Sequence, residues 1–505
     1  MQSKSLKSKK AVFFFPAFSS TEATAPLGIL AVATPLLRAG YQVCLIDSTI
    51  TPNFQARVLE ELRDALCLCV SLVTGPMIRE TTLIARAAKQ LYPDKPVILG
   101  GWHPTLLPGQ TLAAEFVDIV VAGQGEDALL EVIRHIEAGE LPKGIPGVGY
   151  KDHGKIVMHT PRELRPLSEM PPKAYEIADF DAYERTCGRR WAMYTSSLAC
   201  PYNCGYCTNA AAYGRKWNAL DPDQASREMC DLAERYRLQL LWVVDDNFLV
   251  DRNRALAIAE GICERGVQFE WSIQASTNLV TRLSVDEWKL LRRSGLTQVA
   301  QGADSGSPTV MRAMNKTFQN LEMIFDAADR LTQAGVRPSF NMIFAYPGEG
   351  PAERRESVQL IMKVCREYPG AEFWTNIFTP YPGAPIMERA FELGIQVPTR
   401  LEDWADFFPR YTVLPWLNGA EHRRLQTMRD YMRLAFNRIP IRREAKRSLT
   451  RRVHEWIAGP ARWRLDHDFY SFPVELWVKD GMNRWLPPVK PKVDAKQLSA
   501  EVVTC

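Results

Sequence analysis

The sequence predicts an α/β chain in three parts: a Rossmann-like doubly wound domain, a partial (β/α)6 barrel, and a mainly helical C-terminal region. Three observations carry this. Two successive series of short apolar runs alternate with longer helical stretches, a proline-rich interval separates the series, and strand signals fade after about Thr399. At 505 residues the chain exceeds what one hydrophobic core organises, and 46% apolar with 24% charged residues is a globular composition.

In the first series, strands are expected at residues 12–15, 42–46, 66–72, 97–99 and 119–121, and helices at 27–38, 54–64, 77–91 and 126–138. Short β-branched runs between helices give a parallel sheet covered on both faces, which binds ligands at the carboxyl ends of its strands. This domain is expected over residues 8–145. A linker follows over 146–185, where Pro161, Pro166, Pro171 and Pro172 cannot continue a helix.

The second series, over 186–400, has expected strands at 192–197, 240–244, 270–275, 298–301, 339–345 and 373–378. Helices are expected at 224–236, 252–265, 285–293, 320–333, 352–367 and 384–393. Six strands, each followed by a helix, suit a partial barrel with its chemistry at the carboxyl ends. From 401 to 505 a helical cap is expected, with helices at 421–437 and 442–457.

The first barrel strand runs into Cys200-Pro-Tyr-Asn-Cys204-Gly-Tyr-Cys207, which puts three thiols on one loop at the catalytic end. Thiolates this close suit three irons of a cubane, whose full site in electron carriers takes four cysteines, so one iron stays open. The other reading is zinc, usually closed by four ligands, but neither Cys187 nor Cys230 completes a recognised spacing. The remaining cysteines of the odd total of 11 are scattered, which argues for reduced thiols rather than a disulfide framework.

With Tyr206 as its aromatic, the pattern Cys-x-x-x-Cys-x-aromatic-Cys resembles that of the radical S-adenosylmethionine (SAM) superfamily. The resemblance implies a [4Fe–4S] cluster on Cys200, Cys204 and Cys207 whose open iron chelates SAM. It also implies that an electron, from a donor such as flavodoxin or ferredoxin, breaks the sulfonium bond to give methionine and a 5'-deoxyadenosyl radical. In Val244-Asp245-Asp246-Asn247-Phe248, either aspartate stands where the superfamily pairs a carboxylate with the methionine ammonium, the alternative being a helix cap by Asp246 or Asn247. Gly302-Ala-Asp304-Ser305-Gly-Ser307 resembles the ribose-contacting Gly-x-Glu-Ser-Gly-Ser, with Asp304 in place of Glu. Asn341-Met-Ile-Phe-Ala-Tyr346-Pro-Gly348-Glu349 resembles the adenine cradle, and Thr379-Pro-Tyr381-Pro-Gly383 the sixth-strand turn. Gln274-Ala-Ser276-Thr-Asn278 departs from the Arg and Asp expected of close relatives.

Within the superfamily, the chain resembles the group with a cobalamin-type domain ahead of the barrel, typified by anaerobic magnesium-protoporphyrin ester cyclase and the hopanoid and bacteriochlorophyllide methylases. The likeness rests on Pro26-Leu-Gly28-Ile-Leu, Ser71-Leu-Val-Thr74, Leu99-Gly100-Gly101-Trp102-His103-Pro104 and Ala122-Gly123-Gln124-Gly125-Glu126. It implies cobalamin contacts at Ser71, Thr74, Gly100, Gly101, His103, Gly123, Gly125 and Glu126, the glycines permitting close backbone approach. No Asp-x-His-x-x-Gly motif occurs and no histidine precedes His103, so cobalamin binding is expected without that ligand. His103 reads either as a corrin contact or as a loop histidine. The domain itself reads as a cobalamin binder or as a Rossmann module that has lost the ligand. A nicotinamide site is disfavoured because no Gly-x-Gly-x-x-Gly follows the first strand.

The expected function is a cobalamin-dependent radical methyltransferase acting on an unactivated carbon of a lipophilic or natural-product substrate. Its alternatives are a radical cyclase or carbon–carbon coupling enzyme, and a noncatalytic cluster or corrinoid sensor. A net charge of +4 argues for no nucleic-acid partner. Lys4, Lys7, Lys9 and Lys10 read as a solvated tail rather than a secretory signal, and no apolar run reaches about 18 residues, so a cytoplasmic address is expected. Basic residues at 441–452 with Trp456, Trp463, Trp477 and Trp485 read either as a membrane-peripheral surface or as a solvated face with tryptophans packed inside.

Overall fold

The computed structural model describes residues 9–18, 25–161, 163–408, 412–436 and 447–478. They form two compact units, residues 1–416 and 417–505. Lys4, Lys7, the basic residues at 441–446 and Trp485 lie outside the described residues.

Runs such as Ala11-Val-Phe-Phe14 have no polar face, and they form central strands buried on both sides. β1 (Lys10–Phe15), β2 (Gln42–Asp47), β3 (Leu68–Ser71), β4 (Val97–Gly100) and β5 (Ile119–Val121) are parallel in the order β2-β1-β3-β4-β5. The order reverses between β1 and β3, which opens a crevice at the carboxyl ends. Helices Leu27–Arg38, Phe54–Leu62, Met77–Leu91 and Glu126–Ala138 stand at the expected places. Trp102–Leu106 and Pro108–Ala113 are additional, too short to show helical periodicity.

The linker expected from residue 146 begins later. β6 (Val148–Asp152) and β7 (Lys155–Met158) add antiparallel to β5. His153 and Gly154, with φ of 47° and 79°, make the two-residue turn that matches strand twist. The following segment is pinned between the two sheets: the Thr34 hydroxyl donates to the Pro172 carbonyl (2.9 Å), the Ala174 N–H to Leu30 (3.0 Å) and the Tyr175 hydroxyl to Met193 (2.7 Å).

β8 (Trp191–Tyr194) opens the second sheet. β9 (Ser197–Leu198) and β10 (Asn218–Ala219) pair antiparallel beside it, so the first barrel strand stops at Tyr194 rather than 197. β11 (Leu240–Val243), β12 (Glu270–Ser276), β13 (Leu296–Asp304), β14 (Arg337–Phe344) and β15 (Glu372–Ile377) complete six parallel strands in sequential order, β8 and β15 being the edges of an open barrel. Asp221, Asp251 and Asn320 accept from first-turn N–H groups of the helices they precede, and Ser284 with Glu287 forms a capping box.

The helical cap expected from residue 401 also begins later. The short turn Leu401–Asp406 packs on the first sheet: Trp404 and Leu401 join its core, and the Trp404 indole donates to Gln110 (2.5 Å). The second unit consists of paired helices Gly419–Phe436 and Arg447–Asp466 around Leu425, Tyr431, Ile457 and Leu465. No helix among the described residues is long and apolar enough to cross a membrane.

Candidate functional site

The cysteine loop is strapped to the carboxyl ends of the barrel strands. Ala199, at φ 67°, turns the chain out of β9, and its N–H donates to Asp246 (2.8 Å). The Cys200 N–H donates to Asn209 (3.2 Å), and the Asn247 amide lies 3.7 Å from the Cys200 sulfur. At Gly205 a Cβ would meet the Tyr346 hydroxyl at 2.5 Å, so any side chain there would displace Tyr346. The Tyr202 ring stacks on Phe318 at 4.0 Å.

Cys200, Cys204 and Cys207 are half-buried and unbridged. Burial raises all three thiols, Cys204 to about 12, and the neighbouring thiols add to the effect at Cys204 and Cys207. Such thiols ionise when metal charge arrives. Among the described residues no three His, Cys, Asp or Glu groups converge on a point one ion could occupy. A mononuclear zinc needs that convergence, whereas a cubane takes each thiolate on its own iron. Three closely spaced thiols on one loop, with no fourth Cys or His at a recognised zinc spacing, fit a cluster better than zinc.

Asp245 is fully buried and saturated, accepting from the Ser196 N–H, the Ser196 hydroxyl and the Ser197 hydroxyl, each at 2.6 Å. Asp246 faces a cavity, where enclosure by the cleft raises its carboxyl although solvent still reaches it. Neither Asp246 nor Asn247 caps the next helix; Asp251 does, at 3.0 Å from the Arg254 N–H.

Asp304 and Ser305, expected to meet the ribose, are committed to protein partners instead. β13 shifts register between Gly302 and Asp304, and a φ of 60° turns the shorter Asp304 side chain back to accept from the Tyr206 hydroxyl (2.7 Å) and the Lys316 ammonium. Lys316 also donates to the Gly302 carbonyl (2.8 Å). The Ser305 hydroxyl lies 3.2 Å from that of Ser357 and accepts from the Ser307 N–H (3.1 Å). Glu349 is buried, its carboxyl pushed up to about 8 by desolvation. One of its oxygens accepts from the Ala345 N–H, and the other has no hydrogen-bond partner. Both amide atoms of Gln301, Asn278 Oδ1 and Thr379 Oγ1 are likewise buried and unpartnered. Buried polar atoms at strand ends without partners are what a polar ligand would satisfy.

The cavity, about 720 Å³, lies between the two sheets. Ser71, Gly100, Gly101, Gly123, Gly125 and Glu126 line it. Thr74 and His103 do not. A φ of 96° at Gly101, where a Cβ would overlap the Leu72 carbonyl at 2.6 Å, starts a short helix that sends His103 into the core. There Nδ1 meets the Thr74 hydroxyl at 2.9 Å, the ring lies edge-on to Trp404, and burial lowers the imidazole to about 4. Trp102 takes the cavity wall instead, edge-on to Tyr213 at 5.3 Å. Phe13, Val32, Cys69 and Leu129 form an apolar wall of the cavity, and no histidine lines it among the described residues. The glycine edge and the apolar wall fit a large, flat, largely apolar ligand such as a corrinoid. From the barrel side come Thr195, Val244 and Asp246.

Sequence reasoning missed Trp102, Tyr213, Lys173 and Lys316. Trp102 sits inside a motif that was legible; the others carry no local signal. Lys173 borders the cavity over the Tyr194 ring (5.9 Å) with no hydrogen bond or ion pair from its ammonium among the described residues, and burial lowers its basicity.

Residues 194–361 match the model of the radical SAM superfamily, and residues 18–133 match that of the B12 binding domain. The chain is 26% identical to an uncharacterized methyltransferase of Pyrococcus horikoshii, over 72% of this chain and 78% of that one. It is 24% identical to the hopanoid C-3 methylase of Methylococcus capsulatus over 77% and 72% of the two chains. With the anaerobic magnesium-protoporphyrin IX monomethyl ester cyclase of Synechocystis it shares 23% over 58% of this chain and 59% of the cyclase. The solved structure of the cobalamin-dependent SAM radical enzyme OxsB, with aqua-cobalamin and SAM bound, superposes with a TM-score of 0.71 over 94% of this chain and 75% of that one, at 12% identity. At that identity the likeness is one of fold.

Proposed function

We propose that this chain, which belongs to the radical SAM enzymes carrying a B12-binding domain, is a cobalamin-dependent methyltransferase acting on an unactivated carbon of a lipophilic small molecule. Its cofactors are a [4Fe–4S] cluster, SAM and cobalamin. The single observation that carries the reading is the shared cavity: the glycine edge of the first sheet and Asp246 at the carboxyl end of β11 line one space.

In this reading Cys200, Cys204 and Cys207 hold the cluster. Asp246 pairs with the methionine ammonium, and the open oxygen of Glu349 meets a donor of SAM. The glycines at 100, 101, 123 and 125, with Ser71 and Glu126, receive the corrin, while Tyr206, Gly302, Asp304 and Ser305 position the loop and strand rather than touch ligand. Bound there, cluster and SAM supply one-electron cleavage to a hydrogen-abstracting radical, and cobalamin supplies the methyl group. The chain's own part is to exclude water with its apolar wall and to set the distance between the two cofactors. A flavodoxin or ferredoxin supplies the electron, and the substrate's lipophilic character is proposed from the hopanoid relative.

Anaerobic reconstitution with iron, sulfide and hydroxocobalamin, followed by strong reductant, tests this. Expected are a corrinoid spectrum that survives desalting, 5'-deoxyadenosine, and labelled methyl from SAM in a lipid or pigment extract. A loaded cluster that yields no 5'-deoxyadenosine would overturn the radical chemistry. A labelled extract without methyl incorporation, but with a new ring or carbon–carbon bond, would replace methylation by the chemistry of the cyclase relative.

A further inference from the structure

The second unit presents exposed aromatic side chains that its own fold does not cover. Trp456 and Trp463 lie seven residues apart on one face of the helix Arg447–Asp466, while Ile457, Ala461, Arg464 and Leu465 point into the helix pair. Trp456 is 74% exposed and Trp463 53%. Beyond the helix, Trp463 stacks on His467 (4.5 Å) and meets Phe469 edge-on (6.1 Å).

The loop that follows is built rigidly around a buried arginine. Arg464 donates to the carbonyls of Ser471 (2.8 Å) and Phe472 (2.9 Å) and to the Glu475 carboxylate (2.9 Å), whose other oxygen accepts from the Tyr431 hydroxyl (2.9 Å). This clasp holds Phe472 at a φ of 51°, a left-handed conformation that bulky side chains rarely adopt. Its ring is 74% exposed, and Trp477 stands 58% exposed five residues on. Backbone strain that projects an aromatic into solvent contributes nothing to the core.

Charge distinguishes what such a surface meets. Residues 417–505 carry 18 Lys and Arg against 10 Asp and Glu, whereas residues 1–416 carry 44 against 48. The excess positive charge of the whole chain therefore resides in the unit with the exposed tryptophans, among them the exposed Arg423, Arg433 and Arg462. Tryptophan favours the headgroup level of a bilayer, where its ring is apolar and its N–H stays hydrated, and Lys and Arg favour anionic headgroups. Tryptophan and arginine also anchor protein interfaces, so it is the net positive charge of the unit, matched by an anionic headgroup layer, that selects the lipid surface.

We propose that the C-terminal unit docks peripherally on an anionic bilayer, with Trp456, Trp463, Phe472 and Trp477 among the headgroups and the exposed Arg423, Arg433 and Arg462 on lipid phosphates. The docking is independent of methyl transfer, so failure of either leaves the other standing. The reconstituted full-length chain is floated with vesicles of phosphatidylcholine alone or containing roughly one-third phosphatidylglycerol, and its tryptophan fluorescence is followed with brominated acyl chains. Flotation only with the anionic vesicles, bromolipid quenching, and weakening by salt are expected. In the variant W456S/W463S/F472S/W477S, affinity falls about ten-fold or more. Exposed positions tolerate such changes; should the fourfold variant not fold, W477S alone combined with quenching of the native chain reads the same contact. The proposal is overturned if the chain ignores anionic vesicles, or binds them equally without the four rings. A native chain that self-associates in vesicle-free solution and loses this in the variant would overturn it in favour of a second copy as the occupant.

Discussion

Asp245 and Asp246 are adjacent in sequence and opposite in role. The first is enclosed by three hydroxyl and N–H donors, the second opens on the cavity. If Asp246 pairs with the methionine ammonium of SAM as proposed, Asp246→Asn retains cluster iron while 5'-deoxyadenosine formation falls by roughly a hundred-fold, because that charge-assisted pair is lost. Asp245→Asn instead lowers stability by about 2 kcal/mol, read as a shift in the urea midpoint, because hydrogen bonds to a charged group become neutral ones. A run of two aspartates after a strand was legible; which of them faces out depended on Ser196 and Ser197 folding back. His103 shows the same dependence. Its imidazole, lowered to about 4, refuses a proton that the unfolded chain accepts below about 6.5. Stability from this group is therefore complete above pH 6.5 and is lost as pH falls towards 4, by about 3 kcal/mol. Urea midpoints across that window should slope upward with pH in the native chain and flatten in His103→Gln.

At the level of elements, the cysteine loop depends on an internal ion pair. Tyr206 from the loop and Lys316 from beyond β13 both reach the Asp304 carboxylate, and Lys316 is almost wholly buried. Removing one partner leaves a buried charge uncompensated, so Lys316→Met is expected to cost about 3 kcal/mol and to speed iron loss to a chelator. Adding Asp304→Asn should recover part of that loss, which a double-mutant cycle measures. Most elements were readable because apolar periodicity is a local signal: the Leu27–Arg38, Met77–Leu91, Glu126–Ala138 and Val285–Arg293 helices stand at the expected residues. The β6–β7 hairpin was not, since its strands are short and only the neighbouring β5 edge makes them pair.

For the molecule as a whole, the chain returns to its start. Trp404 follows the barrel yet completes the core of the first sheet, with Arg86 and Glu402 paired at 2.7 Å beside it. Trp404→Ala is expected to lower stability by about 4 kcal/mol and to weaken corrinoid retention, measured by denaturation and by the visible spectrum after desalting, although no cofactor contact is removed. Sequence alone determined the two βα series, the three-cysteine loop and the glycine edge, because backbone periodicity, thiol spacing and the demand for a missing side chain are written in neighbouring residues. The tertiary structure alone decided which aspartate meets the cavity, that Asp304 turns to Tyr206 and Lys316, that His103 packs on Thr74 and Trp404 instead of lining the cavity, and that Lys173 enters the space between the sheets. Each of those depends on partners tens to hundreds of residues away, whose approach is set by packing rather than by any local pattern.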